Sequence, residues 1–279
     1  MTELYFDLAV AGAAFLAGVI GALIGLGGGV IITPVLVLWF DIDIRYAMGA
    51  ALTSVIATSS GAAAAYLRDG ISNMRVGLFL SMATTVGAVA GAMAAMVLDA
   101  AVLSVIFGGA LLVTVVLSLR KQKDLSGAAA ASDPLAVKLR LPDALPTPAG
   151  PEPYAVHGVI PGFLLMIVAG VLSGLLGIGS GAFKVVAMDQ VMRIPFKVTT
   201  ATSNFMIGVT AAASVGIYLK RGYLDPNLVA SVALGVLAGA FLGARLLPVA
   251  PVKILRIIFL TAVSVIGVQM IARGFHFNF

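Results

Sequence analysis

Cysteine is absent from the 279-residue sequence, and charged residues make up only 10% of it. Without cysteine the protein has no disulfide, no thiolate metal ligand and no cysteine nucleophile. The scarcity of charge, together with 61% hydrophobic residues and a mean hydropathy of +1.11, excludes an ordinary soluble domain. The chain is therefore expected to fold in a lipid bilayer.

Signatures of enzymes and of metal sites are also missing. Neither histidine, His157 or His276, sits within a central apolar segment where it could activate a serine. The string 177–182 formally fits a dinucleotide fingerprint but lacks the soluble strand-turn-helix context. We therefore predict a protein that is not an enzyme, with no catalytic residue, metal or cofactor. The net charge of +5 is attributed to loops facing the cytoplasm rather than to nucleic acid.

Long apolar segments, each followed by polar residues, occupy most of the chain. They predict a first membrane repeat over 1–119, a linker over 120–157 and a second membrane repeat over 158–279. The linker is rich in Ala, Ser and Pro and carries five cations, which is typical of a flexible cytoplasmic connection. The apolar segments lie at 5–26, 30–40, 46–67, 75–97, 102–119, 158–178, 182–192, 200–219, 227–247 and 254–272.

The two membrane parts repeat each other at a shift of 152 residues. Eleven of the 56 positions from 18 to 73 are identical to their counterparts, which indicates an internal duplication. Each half contains a glycine cluster, GLGGG at 25–29 or GIGSG at 177–181, followed by only about eleven apolar residues. Such a segment is too short to cross a bilayer as a helix.

Two arrangements fit the short segments: a re-entrant hairpin or a discontinuous helix that crosses once. In the hairpin arrangement the halves are inverted, and twelve of the sixteen lysines and arginines other than Lys184 face the cytoplasm, against ten if the segments cross. The positive-inside rule favours inversion. The predicted fold is thus an all-α membrane protein with two homologous halves, each with a glycine-broken helix and about three transmembrane helices.

Amide groups released at a helix break must bond to protein, water or ligand, and helix N-termini attract anions. The first candidate anion site therefore comprises Gly25, Gly27, Gly28, Gly29 and Thr33; the second comprises Gly177, Gly179, Ser180 and Gly181. Alternatively, the glycines only allow close helix packing. Inverted repeats with paired broken helices are typical of alternating-access transporters.

Two ionisable residues follow the second glycine cluster. Lys184 would provide a fixed cation for a bound anion, or it would pair with Asp189 or reach the interface. Asp189 is a candidate for proton coupling, or it forms an ion pair with Arg193 at the rim.

The polar residues Thr202, Ser203 and Asn204 would complete anion coordination, or they would cap helices and bond to neighbouring helices.

These strings resemble the sulfite exporter TauE/SafE family, in which each half carries a Gly-rich stretch and then a Gly/Ala-Thr-Ser stretch. The resemblance rests on GLGGG at 25–29 with Thr33-Pro34, GIGSGAFK at 177–184, ATSNFM at 201–206 and RGYLDP at 221–226. Ser180 departs from the usual glycine, and 49–51 lacks the usual Thr-Ser. The site is therefore not expected to use both halves equally.

The resemblance implies a multi-pass permease of the bacterial or archaeal inner membrane that exports sulfite, a sulfonate or another small organic anion. It leaves the coupling ion and a homodimer open. The alternative is a membrane scaffold or an intramembrane enzyme that shows no saturable flux.

Overall fold

The computed structural model describes residues 3–24, 29–119, 132–147, 150–246 and 252–276, and these are almost entirely helical. Each predicted apolar segment overlaps one helical stretch. In the first half the helices are α1 Glu3–Ile24, α2 Gly29–Trp39, α3 Ile44–Arg68, α4 Met74–Val97 and α5 Ala100–Leu119. In the second half they are α7 Val159–Leu176, α8 Gly181–Val186, α9 Phe196–Lys220, α10 Pro226–Leu246 and α11 Val252–His276.

Five stretches are long and apolar enough to cross a membrane. They are α3, α4, α7, α9 and Pro226–Gly243 of α10. Shorter apolar stretches lie in α1, α2, α5 and α11. The length and composition of these helices confirm the prediction of a helical membrane protein.

The halves interlock through close packing of α1 on α10 and of α4 on α7. A methyl group added at Gly87 would lie 2.1 Å from the carbonyl oxygen of Ile167, and one at Gly239 would lie 2.0 Å from that of Phe15. The two contacts are equivalent under the 152-residue shift. Glycine at these positions therefore sets the distance between backbones at both interfaces.

The contacts also give the relative directions of the helices. On α4 and α7, Gly87 faces Ile167 and Gly91 faces Val171, so the two helices are parallel.

Helices α1 and α10 are parallel as well. Gly235 packs against Ala11, and Gly239 packs against Phe15.

Helices α3 and α9 form the central pair and are antiparallel. The hydroxyl of Tyr218, near the end of α9, reaches the sulfur of Met48 near the start of α3. Farther along, Gly208 packs on Ser59.

Helix α4 is parallel to α9, because Asn73 meets Thr202 and Thr84 meets Thr210.

Helices α5 and α11 form an antiparallel pair. Gly108 packs on Gly267 and Ile271, whereas Gly274 packs on Ala101 and Val105.

The linker differs from the flexible connection that its composition predicts. Residues 132–157, apart from 148 and 149, contain helix α6 Pro134–Lys138 and an antiparallel hairpin of β1 Asp143–Thr147 and β2 Gly150–Tyr154. The side chains of Ala136, Leu141 and Val156 are buried in a hydrophobic cluster with residues of α4, α7 and α9. Apolar burial therefore orders this part, and we call residues 132–147 and 150–157 the docked linker.

Candidate functional site

Helix α7 ends where the second glycine cluster begins. Gly177 and Gly179 have φ values of 69° and 70°, and Ser180 has a φ of 45°. Glycine adopts this left-handed conformation without the steric cost of a Cβ atom. Helix α8 then begins at Gly181, so the chain changes direction within four residues.

The described end of the first glycine cluster meets the second. A methyl group on Gly29 would lie 3.6 Å from the carbonyl oxygen of Gly177 and 2.4 Å from a methyl of Val55 in α3. A methyl group on Gly177 would lie 2.9 Å from the Cβ atom of Met48, also in α3. Gly29 and Gly177 therefore lie close to each other, beside α3. Gly25, Gly27 and Gly28 lie outside the described residues.

Lys184 lies in α8 and is completely buried. Its Nζ donates to Oγ1 of Thr210 at 3.0 Å and to the carbonyl oxygen of Met206 at 3.5 Å. Both acceptors are neutral groups of α9. An ammonium has three N–H donors, so among the described residues one donor is left for a bound solute.

Thr84 of α4 extends this cluster. The hydroxyls of Thr210 and Thr84 are 3.1 Å apart, and Thr84 donates to the carbonyl oxygen of Ser81 at 3.2 Å. Residues from α4, α8 and α9 thus form one polar cluster inside an apolar protein. We call Lys184, Thr210 and Thr84 the buried polar cluster.

Two serines near these helices have buried hydroxyls with no hydrogen-bond partner among the described residues: Ser81 and Ser173. Ser81 lies one helical turn before Thr84 on α4. Ser173 lies on α7, and its carbonyl oxygen accepts the N–H of Gly177 at 3.0 Å. Buried polar atoms are nearly always bonded, so each is a donor that a bound solute or water can satisfy.

The predicted hydroxyl residues mostly bond to backbone. Thr33 donates to Gly29 O at 3.3 Å, and Ser180 donates to Ala169 O at 2.6 Å. Ser203 donates to Gly181 O at 3.4 Å, which ties α9 to the start of α8.

Thr202 accepts the N–H of Asn73 at 3.0 Å, at the start of α4. The Nδ2 of Asn204 donates to Thr200 O at 3.0 Å within α9. The contacts of Thr202 and Asn204 are those of capping and of bonding within a helix. In this conformation neither residue contacts the buried polar cluster through the hydrogen bonds described.

Asp189 is 6% exposed and lies in a π-helical turn, Ala187–Val191, that continues α8. The π turn widens the helix and is often found at functional sites.

The sequence did not single out Thr84 or Thr210 as site residues. Thr210 is identical to its repeat counterpart Thr58, and this identity is a sequence feature that could have pointed to it. Thr84 gives no such signal, since its role depends on a contact with a residue 126 positions away.

A separate cleft of about 470 Å³ lies at the N-terminal ends of α1, α3 and α10. We call it the N-terminal cleft. Its lining includes Asp7, Ile42, Tyr46, Asp225, Asn227 and Leu228. The carboxylates of Asp7 and Asp225 make the cleft a poor site for an anion in comparison with the surroundings of Lys184.

Comparison with known proteins gives a consistent family. The model of the sulfite exporter TauE/SafE family matches residues 10–270. The probable membrane transporter protein YdhB of Bacillus subtilis (strain 168) is 30% identical over 249 residues, covering 88% of this chain and 93% of the relative. The probable membrane transporter protein YunE of the same organism is 27% identical over 266 residues, covering 93% and 95%. A probable membrane transporter protein of Methanocaldococcus jannaschii is 24% identical over 272 residues, covering 92% of both chains. No solved structure matches the chain.

Proposed function

The chain belongs to the sulfite exporter TauE/SafE family, and on this basis we propose that it is a secondary transporter that exports a small anion. The proposed substrate is sulfite or an organosulfonate. The proposed location is the cell inner membrane, with the linker in the cytoplasm.

The observation that carries the proposal is the buried ammonium of Lys184, whose described partners are a hydroxyl and a carbonyl. A cation in the middle of a membrane protein costs at least about 2.5 kcal/mol unless it is compensated. An oxyanion would supply both the missing charge and an acceptor for the remaining N–H. The hydroxyls of Ser81 and Ser173, which have no partner among the described residues, are proposed as two further neutral donors of the kind that bind sulfur oxyanions.

We also propose that the two halves are inverted and that the glycine clusters form re-entrant hairpins. Helices α7 and α9 are both parallel to α4, so they run in the same direction, and the segment between them must return to the side where α7 begins. The directions of α3 and α9 are opposite, as are those of α5 and α11. These directions support inversion, with paired helix ends near the middle of the membrane.

In this proposal the substrate lies where Gly29 and Gly177 approach each other, between the buried polar cluster and α3. The proposed substrate ligands are backbone amides of the two glycine clusters and the side chains of Thr33, Ser180, Thr202, Ser203 and Asn204. One half rocking against the other would expose this region to each side in turn. Asp189 is the proposed coupling residue, through proton binding.

Flux into proteoliposomes tests the proposal. The wild-type protein should show saturable transport of sulfite or a small sulfonate, and Lys184→Ala should lower it by at least about tenfold, equivalent to about 1.4 kcal/mol. Lys220→Ala is the matched control, because Lys220 is exposed at the end of α9. Equal flux in Lys184→Ala and wild type would remove the buried ammonium from the mechanism. The absence of saturable flux for all these anions would instead favour a scaffold.

A further inference from the structure

The repeat relates the N-terminal cleft to a second region that is filled. Under the 152-residue shift the six named lining residues of the cleft correspond to Val159, Ile194, Val198, Asn73, Arg75 and Val76. This second region lies at the N-terminal ends of α4, α7 and α9. The same backbone arrangement therefore occurs twice, and only one copy is open.

The docked linker fills the second copy. Its residues Ala136, Leu141 and Val156 are 0%, 1% and 0% exposed. They belong to one hydrophobic cluster with four of the six counterparts: Val76, Val159, Ile194 and Val198. Apolar side chains of the linker thus fill the space that corresponds to the open N-terminal cleft.

The other two counterparts hold the linker by hydrogen bonds to two backbone carbonyls and one side-chain hydroxyl. Asn73 donates from Nδ2 to the carbonyl oxygen of Leu141 at 2.8 Å and to the hydroxyl of Tyr154 at 2.8 Å. Arg75 donates to the carbonyl oxygen of Arg140 at 3.2 Å.

At the end of the linker, the N–H of His157 donates to Met192 O at 3.0 Å. The ring of His157 also faces the carboxylate of Asp133 at 3.7 Å. Burial raises the pKa of Tyr154 above its ordinary value, so its hydroxyl remains a neutral partner for Asn73 even in alkaline solution. The contact is therefore specific in polar groups as well as apolar ones.

We propose that the docked linker is an internal plug that closes one mouth of the transport pathway and must leave before that mouth opens. This inference rests on the proposed function, because it treats the two equivalent regions as the two mouths of an alternating-access transporter. In such a protein one side is closed while the other is open. Here the linker supplies the closure on the side that is proposed to be cytoplasmic, and the N-terminal cleft is the open mouth.

Solvent access to the two mouths tests the plug without any transport measurement. Because the chain has no cysteine, single cysteines at Ile194, which is 1% exposed, and at its partly exposed counterpart Ile42 can be compared directly. Ile42→Cys should react with a water-soluble maleimide at least about tenfold faster than Ile194→Cys, because local opening must precede labelling of the buried site. Adding Leu141→Ala should speed the labelling of Ile194→Cys by about tenfold, since it removes apolar contacts of the docked linker, and should leave Ile42→Cys unchanged. Equal labelling rates at the two positions, or no effect of Leu141→Ala, would overturn the plug.

Reversible cross-linking tests whether undocking is part of transport. The pair Arg75→Cys and Arg140→Cys would be joined by a short, reducible bis-thiosulfonate reagent, which tethers the linker to α4. The control pair, Leu145→Cys and Glu152→Cys, are cross-strand partners, so their cross-link leaves the linker free to undock. We expect the tether to reduce sulfite flux by about tenfold or more and reduction to restore it, because a gate that cannot open becomes rate-limiting.

Full flux through the tethered protein would overturn the plug while leaving the transporter proposal intact. If the untethered protein transports none of the anions, the transporter proposal fails, and the labelling comparison alone decides whether the linker occludes this region.

Discussion

The two halves have the same backbone conformation at equivalent positions, whether or not the side chains there are alike. Asp41 and its counterpart Arg193 have φ values of 51° and 55°, and Gly70 and Gly222 have φ values of 67° and 77°. The N–H of Ile42 bonds to Leu36 O at 3.1 Å, and the equivalent bond from Ile194 to Met188 O measures 3.0 Å. The backbone conformation is therefore preserved across the repeat, even at Asp41 and Arg193, whose side chains carry opposite charges.

The halves differ most at the buried polar cluster. Lys184 corresponds to Ile32, and Thr84 corresponds to Val236, both fully buried apolar residues. Thr210 is matched by Thr58, which bonds to carbonyl oxygens of its own helix. The cluster combines Thr84 of the first half with Lys184 and Thr210 of the second, whereas the equivalent set of Val236, Ile32 and Thr58 has no charge. The two equivalent regions thus share a backbone frame and differ in polarity.

The largest effect on anion flux is expected when Lys184 is replaced by isoleucine, the residue at its counterpart Ile32. Lys184→Ile should lower anion flux by about 100-fold, equivalent to about 2.7 kcal/mol, while thermal stability in detergent stays the same or rises, because a buried charge is costly. Flux in proteoliposomes and thermal unfolding measure the two quantities.

The double variant Lys184→Ile with Ile32→Lys moves the charge to the other half and is the sharper control. It should not recover transport, since the counterpart of Thr84 is Val236. Recovery would show that the two halves are chemically interchangeable, which contradicts the asymmetry described above.

The next effect concerns the packing that the halves share. Gly87→Ala and Gly239→Ala should each destabilise the protein by about 2–3 kcal/mol, because the added methyl group meets a backbone carbonyl of the facing helix. Thermal unfolding and the yield of folded protein check this.

Gly109→Ala and Gly216→Ala are the controls for the packing test, since nothing lies within 4 Å of the added methyl group at either position. They should be neutral or stabilising by up to about 1 kcal/mol. Unequal losses for Gly87 and Gly239 would break the equivalence of the two interfaces.

A smaller effect is expected to distinguish Thr210 from Thr58, its counterpart in the repeat. Thr210→Val should reduce stability by about 1–2 kcal/mol and weaken anion flux, because Lys184 loses its closest acceptor. Thr58→Val should leave flux unchanged, as Thr58 bonds only within α3 in the described contacts. Parallel flux and unfolding measurements compare the two variants, and similar flux losses would contradict a one-sided site.

The smallest effect is expected at a pair of tyrosines. Tyr218 is completely buried, and its hydroxyl donates to Gly174 O at 3.1 Å; its counterpart Tyr66 is only partly buried. Tyr218→Phe should cost about 0.6 kcal/mol, a typical value for a hydrogen bond between membrane helices. Tyr66→Phe should cost less. Thermal unfolding in detergent compares the two variants. A larger loss of stability for Tyr66→Phe than for Tyr218→Phe would contradict the burial assigned to the two side chains.

Much of the helical framework could be predicted, since each apolar segment reports its own length and hydropathy. Helices α2 and α8 were expected to be short for the same reason. The docked linker could not be predicted, because its Pro-rich and Ala-rich composition resembles that of a flexible connection. Leu141 and Val156 become ordered only because α4, α7 and α9 offer an apolar surface to cover.

The candidate site was predicted less completely. Lys184 stood out as a charge in an apolar run, and the structure adds its acceptors, Thr210 and Met206. Thr202 was proposed for anion contact, yet its hydroxyl accepts the Asn73 N–H at the start of α4. Thr202 and Thr210 both lie on the buried side of α9. Their position on the helix therefore did not show which of them would bond to Lys184.

The sequence by itself determined that the protein folds in a lipid bilayer, where most of its helices lie and that its halves repeat. Hydropathy, segment length and self-similarity can be read from the chain without knowing which residues are in contact. Only the tertiary structure decided that α4 packs on α7 across the repeat, that Thr84 joins Lys184 through Thr210, and that the linker occupies one of two equivalent regions. Those features depend on contacts between residues far apart in the chain, and such contacts are set by how whole helices pack.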